Sequence, residues 1–284
     1  MLSRMKIVGI CRFSMIGQGD WKAYRNFNKQ DLHKIYALKE KELFEERRIE
    51  TRFNTFEKIT LPSLKAQTDQ DFTFLVVSSD RMPEPYKVRL RQICSAYSNI
   101  LLRFVAPMHI VDAQHNIFNE LNWEQQDCLQ FRLDDDDAVS KRFIELLRSH
   151  GEALWAENPK FAISFPNLLY SVVDGETKGV YKWFNPFLGV GLAIRNHKRS
   201  VYGYAHYRTP QALISLTDPS IFNLVTHHGV NDTPRHGKER LEKRGLIRSS
   251  TQEVEEIINQ DFDFLSEEGK LLAGLIDSKG EFST

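Results

Sequence analysis

Phe131-Arg132-Leu133-Asp134-Asp135-Asp136-Asp137-Ala138 places four consecutive carboxylates directly after the strand-like run Cys128-Leu129-Gln130-Phe131-Arg132-Leu133. Like charges a few ångströms apart repel and raise one another's pKa values, so the stretch needs a positive partner. A hard divalent cation meets that need, and Mg²⁺ or Mn²⁺ held by one or two carboxylates keeps positions open for substrate phosphates. A helical pattern opens at Asp137 and continues through Phe143, Ile144 and Leu147, so the acids fall at a strand's carboxyl end, which is where α/β sheets bind ligands. On an extended backbone alternate side chains share a face, which pairs Asp134 with Asp136 as the metal and nucleotide ligands. Asp137 is expected to cap the following helix, because Asp and negative charge suit a helix N-terminus. The plainer alternative is a solvated acidic turn; the apolar strand leading in and the amphipathic helix leading out favour a ligand site.

The rest of the composition narrows the class. A chain of 284 residues is long enough for one large α/β domain or two small ones. Lysines plus arginines equal acids at 38 each, so no global field draws the chain to nucleic acid or to an anionic membrane. Cys11, Cys94 and Cys128 are scattered without C-x-x-C spacing, which argues against a disulfide framework or a zinc site. The opening residues carry no long apolar core, and no apolar run reaches the length of a membrane span. A cytoplasmic protein is expected, with peripheral membrane association as its one route to a bilayer.

Taken in order, Lys6-Ile7-Val8-Gly9-Ile10-Cys11 reads as a buried first strand that delivers Arg12 to its end. Arg12 is placed either to meet a diphosphate or to sit in a surface loop. After Gly17-Gln18-Gly19 a charged helical segment spans about 29–48, with Leu32, Ile35, Tyr36 and Leu43 on its sparse apolar side. Residues 54–67 are helical by pattern, although Pro62 must kink or distort the helix. Phe72-Thr73-Phe74-Leu75-Val76-Val77-Ser78-Ser79-Asp80 reads as a second buried strand; Asp80 accepts from a base or ribose, or simply forms the turn before Pro83. A helix at 86–97 and a third strand at 99–105 follow, and this alternation implies βαβ units with a mainly parallel sheet.

Beyond Glu157 the runs Phe161-Ala162-Ile163-Ser164, Leu168-Leu169-Tyr170-Ser171-Val172, Val180-Tyr181-Lys182-Trp183-Phe184 and Val190-Gly191-Leu192-Ala193-Ile194-Arg195 are short and β-like. They read as a smaller antiparallel elaboration, with a turn at Asp174-Gly175 and aromatic residues serving as core or as sugar platforms. Asp218-Pro219-Ser220 reads as a helix start. His227-His228-Gly229-Val230-Asn231-Asp232 reads as an exposed site, since imidazole is a common metal ligand. The stretch from Gln252 closes the chain with amphipathic helices.

Three spaced motifs resemble a known family. The segment Arg52-Phe53-Asn54-Thr55-Phe56-Glu57, Leu61-Pro62-Ser63-Leu64 and Ala66-Gln67-Thr68-Asp69, the acidic run Arg132 to Ala138, and His228-Gly229-Val230-Asn231 are similar to the putative rhamnosyltransferase family of bacterial glycosyltransferases. The resemblance implies an α/β glycosyltransferase A-type (Rossmann-like) fold, related to family 2 glycosyltransferases. It would comprise one domain with a nucleotide-sugar-binding half at about 1–158 and an acceptor-binding half at 159–284. It further implies an Asp-x-Asp motif that holds Mn²⁺ or Mg²⁺ on a nucleotide sugar's diphosphate, with Asp134, Asp136 and His228 at the metal. Arg12, Arg52, Ser78, Asp80, Arg132, Asp134 and Asp135 become the expected contacts to the nucleotide sugar, and Asp218 the expected base, with Asp174 and Asp232 as rivals. The implied partners are a nucleotide sugar and a saccharide or other hydroxyl acceptor, in polysaccharide biosynthesis.

Breaking a sugar–phosphate bond leaves negative charge on the departing diphosphate, which a metal and cationic side chains stabilise. An inverting transfer also needs a base within reach of the acceptor hydroxyl. Two rivals share the sheet plan. A sugar-phosphate nucleotidyltransferase needs a Gly-rich basic loop after the first strand, which Arg12-Phe13-Ser14-Met15-Ile16 does not supply. A non-catalytic saccharide-binding or scaffolding protein would keep the fold without the metal-dependent chemistry.

Overall fold

The computed structural model describes residues 4–17, 32–124, 128–196, 199–231 and 236–284. Gln18, Gly19, the first residues of the expected 29–48 helix and Asp232 lie outside the described residues. The strands are β1 (Lys6–Phe13), β2 (Thr73–Ser79), β3 (Ile100–Val105), β4 (Cys128–Arg132), β5 (Phe161–Ser164), β6 (Asn167–Val172), β7 (Gly179–Phe184), β8 (Leu192–Arg195), β9 (Ile214–Thr217), β10 (Phe222–His227) and β11 (Ile247–Arg248). The α-helices are α1 (Leu32–Leu43), α2 (Glu46–Thr55), α3 (Leu61–Lys65), α4 (Glu84–Ser95), α5 (Ile110–Glu120), α6 (Phe143–Trp155), α7 (Thr209–Ala212), α8 (Lys238–Lys243), α9 (Thr251–Asp261) and α10 (Glu267–Leu272).

The main sheet runs β3-β2-β1-β4-β8-β5-β9. Its first four members are parallel, while β8 lies antiparallel to both β4 and β5. Period-two alternation divides its side chains between two layers. Ile7, Phe74, Val76, Leu129 and Phe131 pack on one face with Phe53, Phe56, Leu64, Phe143 and Leu147, which come from α2, α3, α6 and the turn between α2 and α3. Val8, Ile10, Leu75, Val77 and Cys128 pack on the other with Ile110, Ala113, Ile117 and Phe118 of α5. The helix-flanked, mainly parallel α/β sheet that the sequence implies is therefore present. Among the described residues, no helix is long and apolar enough to cross a membrane.

The smaller sheet, β10-β6-β7-β11, is mixed rather than antiparallel, because β10 joins β6 in parallel. The expected hairpin holds: Val172 pairs with Gly179 across the turn that follows Asp174. The helix start expected at Asp218-Pro219-Ser220 is absent. Asp218 and Pro219 join β9 to β10, and the alternating, β-branched run through Leu224 and Thr226 is a strand. The helix expected to open at Asp137 begins instead at Phe143.

Pro62 is accommodated differently from a kink. Between α2 and α3 the residues Phe56–Thr60 form one π-helical turn, with the Leu61 N–H reaching back to the Phe56 carbonyl. The wider turn admits a residue without an N–H at the start of α3, as π-bulges in longer helices commonly do at functional sites. It also aims Thr60 at the acidic loop, where its hydroxyl donates to the Asp137 carbonyl at 2.8 Å.

A buried arginine ties the N-terminal strand to this helix pair's exit. Arg148 of α6 donates to the Met5 carbonyl at 2.6 Å, to the Asp71 carbonyl and to the Asp69 carboxylate. Burial pushes the Asp69 carboxyl up, but the Arg148 hydrogen bond and the Asp71 N–H outweigh it and hold it below its ordinary value. A depressed folded pKa gives stability that is complete above the unfolded value near ~3.9 and is lost as pH falls through the folded one. Asp69→Asn should therefore lower the unfolding free energy by about 3 kcal/mol at pH 7, with the gap closing on acidification below about pH 3. Urea unfolding at the two pH values checks it.

Candidate active site

β4 ends alongside β1, with Arg132 opposite Ile10, three residues before β1 ends at Phe13, and the Leu133 N–H donating to the Ile10 carbonyl at 3.2 Å. They open into a cavity of about 330 Å³ whose lining includes Arg12, Arg52, Arg132, all four aspartates Asp134 to Asp137, Tyr170, Trp183, Thr226 and Asn231. The acidic run is turned, not extended: the Asp137 N–H reaches the Asp134 carbonyl at 3.4 Å, and Ala138 exchanges both backbone hydrogen bonds with Leu224 of β10. The alternation expected of a strand therefore fails, and the carboxylates split another way.

Arg52 of α2 bridges Asp135 and Asp136 through one guanidinium nitrogen, 3.4 Å from Asp136 Oδ2. Asp134 opens to the cavity at 40% side-chain exposure, with Arg132 at 3.6 Å. Asp137 does not cap a helix; its carboxylate accepts the Thr226 N–H at 3.1 Å. Asp135, Asp136 and Asp137 are all under 9% exposed, and the electrostatics follow. Burial, then Asp136 and Asp134, push Asp135 up to about 7 against the pull of Arg52. Burial and the same two neighbours push Asp137 up as well. Asp134 goes the other way, because Arg132, Arg12 and Arg52 together outweigh its desolvation. One guanidinium does not neutralise this cluster, and Asp135 Oδ2 is buried without a hydrogen-bond partner.

Two arginines are locked by one tyrosine. The guanidinium groups of Arg12 and Arg132 lie 5.0 and 4.8 Å from the centroid of Tyr202, whose hydroxyl donates to the Ile10 carbonyl at 3.0 Å. Gly189 closes the far side of Arg132: a Cβ there would lie 3.0 Å from Arg132 Nε. Ser14, just past β1, holds a left-handed φ of 46° beside the cavity, a conformation that costs energy for a residue other than glycine.

The late histidine motif folds onto the acids. Asp136 Oδ2 lies 3.0 Å from His228 Nε2 and accepts the Asn231 side-chain amide at 2.8 Å. Asn231 in turn accepts the His228 N–H at 2.8 Å, and Arg48 of α2 holds the loop by donating to the Val230 carbonyl at 3.0 Å. The Thr226 hydroxyl donates to the Asp136 carbonyl at 2.6 Å.

Of the residues expected from sequence, Arg12, Arg52, Arg132, Asp134, Asp135, Asp136 and His228 thus come together. Ser78 and Asp80 do not line the cavity; Ser78 is fully buried and Asp80 is exposed at the end of β2. Asp218 is likewise outside the lining, and its carboxylate takes a 2.7 Å hydrogen bond from His150. Burial raises its pKa, but the bonds from His150 and Ser220 bring it below its ordinary value. Asp218 therefore stands apart from the acids and arginines that share the cavity. Among the described residues, no three His, Cys, Asp or Glu side chains already converge as a metal cluster.

Tyr202, Gly189 and His206 are cavity or arginine contacts that no sequence signal marked. His206 Nδ1 lies 2.8 Å from the Phe187 carbonyl. A carbonyl only accepts, so Nδ1 carries the proton and Nε2 keeps its lone pair. Burial, opposed by that hydrogen bond, lowers the pKa of the ring and keeps it neutral. Phe187 itself sits at φ 62°, its N–H tied to Ser164 Oγ at 2.8 Å.

Removing the bridging cation should expose the cost of the cluster. Arg52→Met leaves two buried carboxylates without their shared partner, and breaking such a pair from one side costs about 3–5 kcal/mol. Thermal unfolding in the absence of divalent metal checks it, and the loss should shrink as the pH drops and Asp135 takes up a proton.

Comparisons place this geometry in a family. Residues 6–240 match the model of the family described as Putative rhamnosyl transferase. A search of curated proteins found no match. Among solved structures, S. aureus TarS 1–349 is similar at 11% identity and a TM-score of 0.41, covering 78% of this chain and 60% of that one. Its complex with UDP gives 12% identity and a TM-score of 0.32, covering 61% of this chain and 37% of that one. The chain thus spans at most about three-fifths of the length of these structures. The family match extends from β1 to the first turn of α8 and takes in Arg12, Arg52, the four aspartates and His228, so the chain belongs to the putative rhamnosyl transferase family.

Proposed function

We propose that the chain is a metal-dependent glycosyltransferase that moves a hexosyl or deoxyhexosyl group, rhamnosyl among the candidates, from a nucleotide sugar to an acceptor hydroxyl, with inversion. The observation that carries the reading is the set of buried, under-neutralised aspartates sharing one cavity with Arg12, Arg52 and Arg132. Carboxylates that burial drives to hold protons near neutral pH are a site in want of positive charge.

The donor set fits Mn²⁺ or Mg²⁺. Asp134 and Asp136 offer hard oxygens, His228 Nε2 lies beside Asp136, and Asp135 Oδ2 is an orphaned buried acceptor. Protein side chains alone do not complete a shell, so diphosphate oxygens and water would fill it, as is usual for these cations. When bound, the cation supplies positive charge against the diphosphate that leaves. The remaining work falls to the chain. Arg12 and Arg132, fixed face-on by Tyr202, hold the diphosphate charge without reorganising as it grows. His206, with its Nδ1 proton tied to Phe187 and Nε2 unprotonated, takes the proton of the acceptor hydroxyl, the role the sequence had suggested for Asp218. Tyr170, Trp183, Leu188 and Val190 supply the apolar part of the cavity wall.

The test is incubation with a panel of nucleotide sugars and Mn²⁺ while nucleoside diphosphate release is followed. Release from one donor, stimulated by a glycan acceptor, is expected. Asp136→Asn should abolish turnover while circular dichroism still reports a folded chain, and His206→Gln should lower kcat by about 10²–10³. Silence with every donor, or undiminished turnover in Asp136→Asn, contradicts the reading.

A further inference from the structure

The same cavity that holds Arg12 and Arg132 is lined by a further cation packed on the smaller sheet. Arg244 follows α8, and its guanidinium lies 4.5 Å from the centroid of Trp183 on β7. The contact is reciprocal, since Trp183 Nε1 donates to the Arg244 carbonyl at 3.0 Å. Tyr170 of β6 braces the indole edge-on at 5.7 Å between centroids. The backbone is fixed too: Gly245 takes φ 78°, and the Leu246 N–H returns to the Leu241 carbonyl at 3.1 Å, which closes α8 and buries Leu246 at 6% exposure. A left-handed residue at this place is the usual helix stop.

Among the described residues the stacked guanidinium has no ion-pair partner. Arg244 is exposed and lines the cavity together with Tyr170, Trp183 and Val225. The cavity's other arginines differ, Arg48 by donating to the Val230 carbonyl. Arg52 bridges two aspartates, Arg132 faces Asp134, and Arg12 shares Tyr202 with Arg132 at the sheet ends where the diphosphate is read to lie. A planar cation held flat by an aromatic ring, with its N–H fork free, suits bidentate recognition of a carboxylate or phosphate.

We propose that Arg244, clamped on Trp183, forms an acceptor subsite for an acidic saccharide, one that carries a carboxylate or a phosphate close to the hydroxyl to be glycosylated. This deepens the transferase reading and rests on it for the word acceptor, but the binding of an acidic saccharide stands without turnover. The shared chemistry is a compact oxyanion on a sugar, and either a uronate or a sugar phosphate provides it.

The experiment is an array of neutral, uronate-bearing and phosphate-bearing oligosaccharides probed with the wild-type chain and with Arg244→Gln, alongside calorimetry of uridine, thymidine and guanosine diphosphates with Mn²⁺. The expected result is binding confined to acidic saccharides, with the uronate or the phosphate arm naming the group. Arg244→Gln should weaken it at least about tenfold, the step worth one charge-assisted hydrogen bond, and leave nucleoside diphosphate affinity unchanged. Equal binding of neutral saccharides, no binding of any acidic one, undiminished binding by the variant, or a loss of diphosphate affinity in its place would each overturn the subsite. Acidic saccharide binding without diphosphate release from any donor leaves the subsite standing and removes the transferase instead.

Discussion

Three of four adjacent aspartates, Asp135 to Asp137, are brought out of water just after β4, and the surrounding structure is arranged to make that tolerable. An ion moved into a low-dielectric interior loses several kcal/mol of solvation unless charge and hydrogen bonds replace it. The replacement comes from distant parts of the chain: Arg52 from α2, Thr60 from the π-helical turn, Thr226 from β10, and His228 with Asn231 from the loop after it. Because these groups fix the acids in a turn, the cluster has one geometry, and the cavity is shaped before any ligand enters.

The compensation is incomplete, and function is read from that gap. Asp135 at about 7 and Asp137 well above its ordinary value describe carboxylates that burial has stripped of water and that still repel. On the proposed reading a divalent cation would relieve both, and a diphosphate would meet it beside Arg12 and Arg132, which pack on Tyr202. Stability and ligand affinity are thus linked through the same oxygens, as is common where active sites keep strained charge.

Much of this was legible in the sequence. The β-branched runs at Lys6–Phe13 and Thr73–Ser79 are long enough to read as buried strands, and the acids after Arg132 mark the strand end where ligands bind. The errors were local signals overruled by tertiary contacts. Asp137 has a helix-capping residue type, yet it is drawn to Thr226 and the helix starts at Phe143. Asp218-Pro219 has the form of a helix start, yet the run behind it pairs with β6 as a strand. Gly189, Tyr202 and His206 lay beyond reach for another reason. Gly189 sits in a bend and the other two in single 3₁₀ turns too short to show periodicity, and their meaning comes from what the fold sets beside them, Arg132 above all.

The central claim is that the aspartate cluster binds a divalent cation that in turn binds a diphosphate. Isothermal titration of the chain with nucleoside diphosphates, in Mn²⁺ and again with the metal chelated, tests it most directly. The account predicts saturable binding with Mn²⁺ that weakens by at least about tenfold, some 1.4 kcal/mol, when the metal is chelated. Equal affinity under the two conditions, or no binding of any diphosphate with Mn²⁺ present, would contradict it.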